Sequence, residues 1–240
     1  MCAIFGYVAR AGHSIDLGIL RDIVRTNIIR GPHAFGFAWI DQRGRLRCFK
    51  QTGRLTDELA VLAMARDARM LVGHLRYATH GRPEHNVNNH PHPSDGGWIV
   101  HNGVVHNQLE LIDAHDLAPV SSCDSEVIGL LLEQLDGSLA ARAAATAEQL
   151  EGPAAILGLW SRPNSMLAIR RGNPLNVGTD DSGLYLATID DALPDPREVP
   201  DGSVLQLSLT RGRPMIRVRA RLRGNFKRRT LFDAASYRGG

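Results

Sequence analysis

A cysteine occupies the second position of the chain, behind the initiating methionine and ahead of the apolar run "AIFGYVA". Initiator methionine is usually removed when the next residue is small, and its removal leaves Cys2 with both a thiol and a free α-amine. That amine has an unperturbed pKa of about 7.7 to 8.0, so it can accept the thiol proton near neutral pH. Cys2 is therefore a candidate nucleophile that carries its own base. The structural alternative is a small apolar residue at the head of a strand.

Seven of the ten histidines lie between residues 74 and 106, in a segment that is also rich in Asn, Gly and Pro. Segments of this composition are usually loops that present polar groups to a ligand. A metal site would use His80, His85, His90 and His92, but their spacing matches no compact zinc pattern such as HExxH. We expect no metal there. The remaining alternative is that these histidines make structural hydrogen bonds.

Nucleophilic attack on an amide requires hydrogen-bond donors for the oxyanion and side chains that bind the substrate, and the same segment holds such groups. Asn102 and Gly103, in "HNG", offer a side-chain NH2 beside a backbone N–H. Arg76 can bind a carboxylate through two parallel hydrogen bonds, and Asp124 can pair with an ammonium group. One Arg and one Asp in one pocket suit the α-carboxylate and α-amine of a free amino acid, whose side chain then meets the nucleophile.

The elements that must position these residues are strands at both ends of the chain and helices between them. Apolar residues at helical spacing predict helices over 14–29, 56–68, 124–135 and 138–150. We expect Ser14 to cap the first of these helices. The stretch "RYATH" (76–80) is predicted to continue a strand with alternating faces. This order predicts one α+β domain with mostly antiparallel sheet.

Several motifs occur together in a fixed order: Met-Cys-x-Ile-x-Gly, "RGPHAFG", "GHLRYATHG", "NNHPHPS", "VHNGVVHNQLEL" and "DSEVIGLLLE". With later stretches such as "RRGNPLNVG", they resemble the class II glutamine amidotransferases, and in particular the glutaminase domain of glucosamine-6-phosphate synthase. The resemblance covers residues 2–212. It implies an N-terminal-nucleophile (Ntn) hydrolase fold, a four-layer αββα sandwich of two antiparallel sheets between helical layers.

The resemblance also implies an activity: hydrolysis of L-glutamine to glutamate and ammonia through a glutamyl thioester on Cys2, without metal or organic cofactor. It implies that Asn102 and Gly103 form the oxyanion hole. Arg76 and Asp124 would bind the α-carboxylate and the α-amine of glutamine. It further implies pocket-lining or supporting roles for Tyr77, Thr79, His80, His90 and Arg30.

Three positions depart from the pattern of that family. Ala3 stands where a glycine is usual, Tyr77 replaces a tryptophan, and His33 replaces an acidic residue. None of these changes removes a group named above as essential. Two other functions stay open from the residues alone. One is an N-terminal-nucleophile amide hydrolase with another substrate, and the other is a non-catalytic scaffold with an inert Cys2.

The positive charge of the chain is concentrated near its end. Residues 211–229 hold eight Arg and one Lys without an acid, whereas the other 19 cations face 25 acids. "MIRVRARLR" alternates with period two, which predicts a strand with one apolar and one arginine face within a basic tail, 213–240. The arginines could simply face water at a sheet edge. The alternative is a docking site for an acidic partner subunit or for nucleic acid.

The composition and length of the sequence also indicate the cellular compartment and the partners to expect. No run of about 18 apolar residues is present, so we expect no membrane association. Three cysteines form no disulfide framework, which favours a reducing cytoplasm. The sequence has no room for the sugar-binding half of the synthase. We therefore expect a separate synthetase or transferase subunit that accepts the ammonia.

Overall fold

A computed structural model describes residues 2–56, 58–210 and 213–222; Met1 and the tail beyond Leu222 lie outside the described residues. The strands are β1 (Ala3–Ala9), β2 (Ala34–Asp41), β3 (Leu46–Thr52), β4 (Ala68–Arg76), β5 (His92–Ser94), β6 (Gly97–Gly103), β7 (Ala154–Ser161), β8 (Asn164–Arg171), β9 (Asn176–Thr179), β10 (Gly183–Ala187), β11 (Arg197–Glu198), β12 (Ser203–Thr210) and β13 (Arg213–Arg221). The α-helices are α1 (Leu17–Asn27), α2 (Glu58–Leu62), α3 (Gln108–His115), α4 (Glu126–Gln134) and α5 (Leu139–Gln149).

The strands form two sheets whose neighbouring strands pair antiparallel. One sheet has the order β11-β9-β10-β1-β4-β2-β3, and the other has the order β13-β12-β8-β7-β6-β5. The strand β1, which follows Cys2, is therefore central in its sheet and is buried along its whole length. A central strand is held by ladders on both sides, so it gives the residue at its head a fixed position.

Three apolar cores separate four layers. The two sheets face each other through Ile4, Val8, Val72, Val100, Leu157 and Leu186. The outer face of the seven-stranded sheet is covered by α1 and α2, through Leu20, Ile23, Val24 and Leu62. The outer face of the six-stranded sheet is covered by α4 and α5, through Val127, Ile128, Leu131, Ala143 and Ala147. This arrangement confirms the predicted α+β fold class with an αββα order of layers.

Two helix predictions need correction. The first helix begins at Leu17 rather than near Ser14, because the side chain of Asp16 accepts hydrogen bonds from the backbone N–H groups of Gly18 and Ile19. The sequence analysis also missed α3, which has only one buried residue, Leu111, and so shows little apolar periodicity. Among the described residues, no helix combines the length and the apolar character needed to cross a bilayer.

The strand β13 lies at the edge of its sheet, as the alternating pattern predicts. Its pairing with β12 shifts by one residue at Arg219, between the pairs Val204–Ala220 and Leu205–Val218. Residues paired across antiparallel strands share a face. Val204 belongs to the core under the helices and Leu205 to the core between the sheets, so Ala220 and Val218 face opposite ways. The predicted single apolar face is therefore divided, which corrects that prediction.

The β2–β3 hairpin is organised by the buried carboxylate of Asp41. It accepts hydrogen bonds from the backbone N–H groups of Arg43 and Arg45 and from the guanidinium groups of Arg45 and Arg47. Burial alone would raise the pKa of Asp41, but these hydrogen bonds lower it to about 2. The folded state therefore favours the ionised form of this side chain.

We expect Asp41→Asn to lower the free energy of unfolding at pH 7 by about 2 kcal/mol. Because the folded pKa lies below the unfolded one, the contribution is complete above the unfolded pKa of 3.8 and disappears as pH falls toward 2. Urea unfolding of both proteins across this range measures it. A difference in stability that stays constant down to pH 2 would contradict this account.

Candidate active site

The thiol of Cys2 lies at the head of β1 and is half-buried. Its Sγ accepts a hydrogen bond from the backbone N–H of Tyr77 at 3.3 Å and donates to the Tyr77 carbonyl at 3.4 Å. The Nε of Arg30 donates to the Cys2 carbonyl at 2.9 Å, and the wider supporting role implied for Arg30 stays a prediction. The residue is thus held from both sides, by the end of β4 and by the turn after α1.

Burial raises the pKa of the Cys2 thiol above its ordinary value of 9.0. The hydrogen bond from Tyr77 and the positive charge of Arg76 oppose this rise, and the negative charge of Asp124 adds to it. Near neutral pH the thiol is therefore protonated, so attack on a carbonyl needs a base. The charges of Arg76 and Asp124 therefore act on the thiol pKa in opposite directions.

Asn102 and Gly103 end β6 and offer the donors expected of an oxyanion hole. The side chain of Asn102 is buried, and its Nδ2 has no hydrogen-bond partner among the described residues. Buried amide donors rarely stay unpaired. A Cβ at Gly103 would overlap the carbonyl oxygen of Pro153 and the ring of His101, so glycine is required there.

A contact between the sheets brings these donors to the same end of the sandwich as Cys2. The Nε2 of His74, on β4, lies 3.0 Å from the His101 carbonyl, on β6. His74 pairs with Ile4 across the ladder, two residues after Cys2. His101 directly precedes Asn102. The head of β1 and the end of β6 are therefore neighbours.

Arg76 is the last residue of β4 and is buried. Its Nη2 donates to the carbonyls of His80 and Gly81, and its Nη1 donates to the side chain of Asn89 at 2.7 Å. These bonds fold the chain back, so the prediction that 76–80 continues a strand is wrong. Nη1 carries a second hydrogen that can meet a carboxylate. Binding of a substrate carboxylate by Arg76 stays a prediction.

Asp124 is buried, and its Oδ2 accepts a hydrogen bond from the Val105 backbone N–H at 2.7 Å. Its Oδ1 lies 3.8 Å from the Nδ1 of His80, whose side chain is about half exposed. Oδ1 also accepts a hydrogen bond from the Cys123 thiol at 3.8 Å, and it lies on the side of the exposed loop that carries His80. Because a carboxylate oxygen has two lone pairs, Oδ1 can accept a further hydrogen bond from an ammonium group.

The remaining residues implied to line the pocket differ in exposure. Tyr77 and Thr79 are exposed, like His80, in the loop after β4. His90 is buried instead, and its ring stacks on His74 with 3.9 Å between centroids. Contacts of these residues with a substrate stay predictions. Because His90 is buried, we expect it to support the pocket from beneath rather than to contact a substrate directly.

Two of the three departures from the family pattern contact each other. The rings of His33 and Tyr77 lie with centroids 4.9 Å apart. The Nδ1 of His33 also accepts a hydrogen bond from the backbone N–H of Ala78 at 3.0 Å. Since the backbone of Tyr77 binds the thiol, this pair supports the loop that holds Cys2. Both positions stand out in the sequence as departures from the family pattern, but nothing in the sequence indicates that their side chains meet.

Four buried histidines form a cluster under this end of the molecule: His74, His90, His92 and His101. The rings of His90 and His92 meet edge to face at 4.6 Å, and His101 bonds Ser125 at 2.8 Å through Nδ1. Burial holds the pKa of each ring well below its ordinary value, at about 3 for His92 and about 4 for His101. The cluster is therefore uncharged at neutral pH.

In the described part of the chain, one group of side chains could hold a metal ion. It differs from the four histidines that the sequence offers as candidates. His80 and His85 are exposed, whereas His90, His92 and Cys123 each offer a donor atom within 4.8 Å of the others. The ammonium group of Lys50 donates to the carbonyls of Asn89 and Pro91 beside them. Its charge opposes a cation at this place, and we assign no metal.

Sequence reasoning missed Asn173 and Asn89, which hold other site residues in place. Asn173 lies in "RGNPLNVG", a stretch whose Gly and Pro predict a turn between strands near the site, without singling out this Asn. Its Nδ2 donates to the Asn102 carbonyl at 2.7 Å and to the Pro153 carbonyl at 3.1 Å. No local signal separates such an Asn from an ordinary turn residue, because its partners lie 71 and 20 positions away.

Comparison of the sequence with characterised proteins finds enzymes named glutamine–fructose-6-phosphate aminotransferase (isomerizing). The chain is 34% identical over 208 residues to the enzyme of Symbiobacterium thermophilum, an alignment that covers 83% of this chain and 33% of that enzyme. The chain thus spans about a third of the length of the curated relatives it matches. No family model matches the chain.

Solved structures share the fold. Glutamine phosphoribosylpyrophosphate amidotransferase from B. subtilis superposes with a TM-score of 0.73 at 21% identity, covering 90% of this chain and 49% of that one. A glutamine aminotransferase class-II domain protein from Silicibacter pomeroyi gives 0.58 at 19% identity, covering 90% and 99%. These structures match the sandwich described above, including the Ntn-type arrangement expected from the sequence. By its sequence similarity to the aminotransferases and by this fold, the chain belongs to the class II glutamine amidotransferases.

Proposed function

We propose that the chain hydrolyses the side-chain amide of L-glutamine, with Cys2 as the nucleophile. The observation that carries this proposal is the unpaired, buried Nδ2 of Asn102, at the same end of the sandwich as the Cys2 thiol. An amide donor left without a partner inside a fold costs free energy unless a ligand satisfies it. The oxygen of a tetrahedral adduct on Cys2 is a fitting partner.

The proposed reaction divides into two steps that share one base. After removal of Met1, the α-amine of Cys2 takes the thiol proton, and the thiolate attacks the amide carbon of glutamine. Asn102 and Gly103 bind the oxyanion, and the protonated amine returns its proton to the departing nitrogen, which leaves as ammonia. Water, activated by the same amine, then attacks the thioester carbon, and glutamate leaves as the thiol regains its proton.

Substrate selection follows from the charges around the thiol. The guanidinium of Arg76 binds the α-carboxylate, and the carboxylate of Asp124 binds the α-amine. Tyr77, Thr79 and His80 border the pocket from the loop after β4. A substrate without both charges lacks one of these contacts. We therefore propose a free amino acid amide as substrate rather than a peptide or a simple amide.

The proposed chemistry predicts that Met1 must be absent from the active protein. We expect the intact mass to correspond to a chain that starts at Cys2, and a glutamine-mimicking electrophile to add once, at Cys2. Activity should then rise with pH as the α-amine loses its proton and becomes able to act as the base. A chain with Met1 removed that does not label would favour an amide hydrolase with another substrate. A retained Met1 would favour a non-catalytic scaffold.

We further propose that residues 2–212 form the amidotransferase unit and that the ammonia passes to a synthetase or transferase subunit in trans. Ammonia released into water protonates and diffuses away, so transfer needs a partner that is docked nearby. The exposed arginines of β13 and the charge of the basic tail suit an acidic partner surface. A thiol nucleophile must stay reduced, which fits a cytoplasmic setting.

A pull-down with the chain intact and with residues 213–240 deleted tests the partner. We expect a partner that supports glutamine-dependent amination to be retained only by the intact chain. Full glutaminase turnover that no partner changes would count against transfer in trans. Binding to nucleic acid with a steep loss on adding salt would instead assign the tail to nucleic acid.

A further inference from the structure

Asn173 lies in the loop between β8 and β9 and is only 5% exposed. Its side-chain amide donates to two backbone carbonyls, those of Asn102 at 2.7 Å and Pro153 at 3.1 Å. Asn102 ends β6 together with Gly103, and Pro153 directly precedes β7. Asn173 therefore joins the two strand ends at the edge of the candidate oxyanion hole.

The bond to Asn102 acts on the neighbouring donor through the peptide unit. The carbonyl of Asn102 and the N–H of Gly103 belong to one planar peptide group, in which they point in opposite directions. A donor that fixes the direction of the carbonyl therefore also fixes the direction of the N–H. In addition, an amide whose oxygen accepts a hydrogen bond becomes a stronger donor at its N–H.

The second bond limits how this peptide can tilt. Gly103 pairs with Ala154 across the β6–β7 ladder, one residue from Pro153. The carbonyl of Pro153 lies so close to Gly103 that a Cβ there would overlap it. By binding both carbonyls, Asn173 sets the spacing between the two strand ends at this point.

We infer that Asn173 is a positioning residue that orients the Gly103 N–H toward the oxyanion, and this inference rests on the proposed glutamine hydrolysis. Asn173 acts through the Asn102–Gly103 peptide and contacts no reacting atom in this account. Its effect should therefore appear in the stabilisation of the tetrahedral state and not in the binding of glutamine or glutamate.

The test compares Asn173→Ala with the wild-type chain in three measurements. We expect kcat to fall by about tenfold, less than the loss expected on removing an oxyanion donor outright, while KM stays within about twofold. The affinity for the γ-aldehyde analogue of glutamine, which adds to Cys2 as a tetrahedral species, should fall by the same factor. The affinity for glutamate should not change.

Matched variants separate positioning from general loss of structure. Asn107→Ala is the control, because Asn107 also donates its Nδ2 to a backbone carbonyl, that of Gln149 at 2.8 Å, without touching the Asn102–Gly103 peptide. It should leave the ratio of aldehyde to glutamate affinity unchanged. Asn173→Ser keeps a donor and should recover part of the lost kcat. If Asn173→Ala does not fold, the Ser variant alone should still lower kcat without raising KM.

A spectroscopic measurement keeps this inference separate from the proposed function. In glycine-labelled protein, the amide resonance of Gly103 should shift in Asn173→Ala and stay in place in Asn107→Ala. If the wild-type chain hydrolyses no glutamine, the proposed function fails while the resonance still reports on the peptide. An unmoved Gly103 resonance would overturn the inference, and so would equal losses of aldehyde and glutamate affinity.

Discussion

Cys2→Ala should abolish glutamine hydrolysis, with a loss in kcat of at least about 10⁴-fold, the scale seen when a nucleophile is removed. The expected loss is this large because no other thiol can take its place. Unlike Cys2, Cys123 and Cys48 carry no α-amine that could take the thiol proton, and burial raises the pKa of each thiol to about 12. The measurement is glutamate release from the variant chain at saturating glutamine, with Met1 removal verified by mass.

The same substitution should leave the fold intact. The Cys2 side chain makes only weak sulfur hydrogen bonds to the backbone of Tyr77, and it lies ahead of β1 rather than inside a core. The melting temperature should therefore remain close to that of the wild-type chain. Cys48→Ala is the matched control, because it removes a half-buried thiol from β3 and should retain activity. Hydrolysis that persists in Cys2→Ala would exclude Cys2 as the nucleophile.

Asn102→Ala should lower kcat by about 10²- to 10³-fold, the usual cost of losing one oxyanion donor. Its Nδ2 has no partner among the described residues, so the substitution breaks no hydrogen bond made by that nitrogen. We therefore expect stability to change much less than activity, whereas a buried Asn with paired groups usually loses both. Kinetics and urea unfolding of the same samples make this comparison.

The control for Asn102 is Asn164→Ala, at the start of β8 and the far end of the β7–β8 hairpin. That variant should keep kcat. The isosteric Asn102→Asp should be at least as impaired as the alanine variant, because it presents a carboxylate where a donor is needed. If Asn102→Ala loses stability but retains kcat, Asn102 is a structural residue and the oxyanion must be bound elsewhere.

Elements of the fold are predictable from the sequence where a pattern of apolar residues is local and repeated. The apolar run of β1 and the helical spacing in α4 and α5 identify these elements, because burial of one face imposes that spacing. Prediction fails where one contact overrides the pattern. The cap by Asp16 moves the start of α1, and the extra residue at Arg219 turns Val218 and Ala220 toward opposite faces of the sheet.

The same limit applies to the site. The roles proposed for Cys2, Asn102 and Gly103 can be predicted from residue type and order, because a thiol beside an α-amine and a pair of amide donors suit attack on an amide. Asn173 is not recognisable, because its importance lies in which carbonyl it meets across 71 positions of sequence. Likewise, β4 ends at Arg76 because the Arg76 side chain donates hydrogen bonds to the carbonyls of His80 and Gly81. The alternating pattern of residue types in the sequence does not reveal these bonds.

The uncharged histidine cluster has a consequence for how this protein responds to acidity. The pKa of His92 is about 3, that of His101 is about 4, and those of His74 and His90 are also well below their ordinary value, so the four rings are uncharged around neutral pH. The cluster therefore adds no charge beneath the candidate site at neutral pH. A rate that varies with pH around neutrality then reports groups outside the cluster, foremost the α-amine proposed as the base.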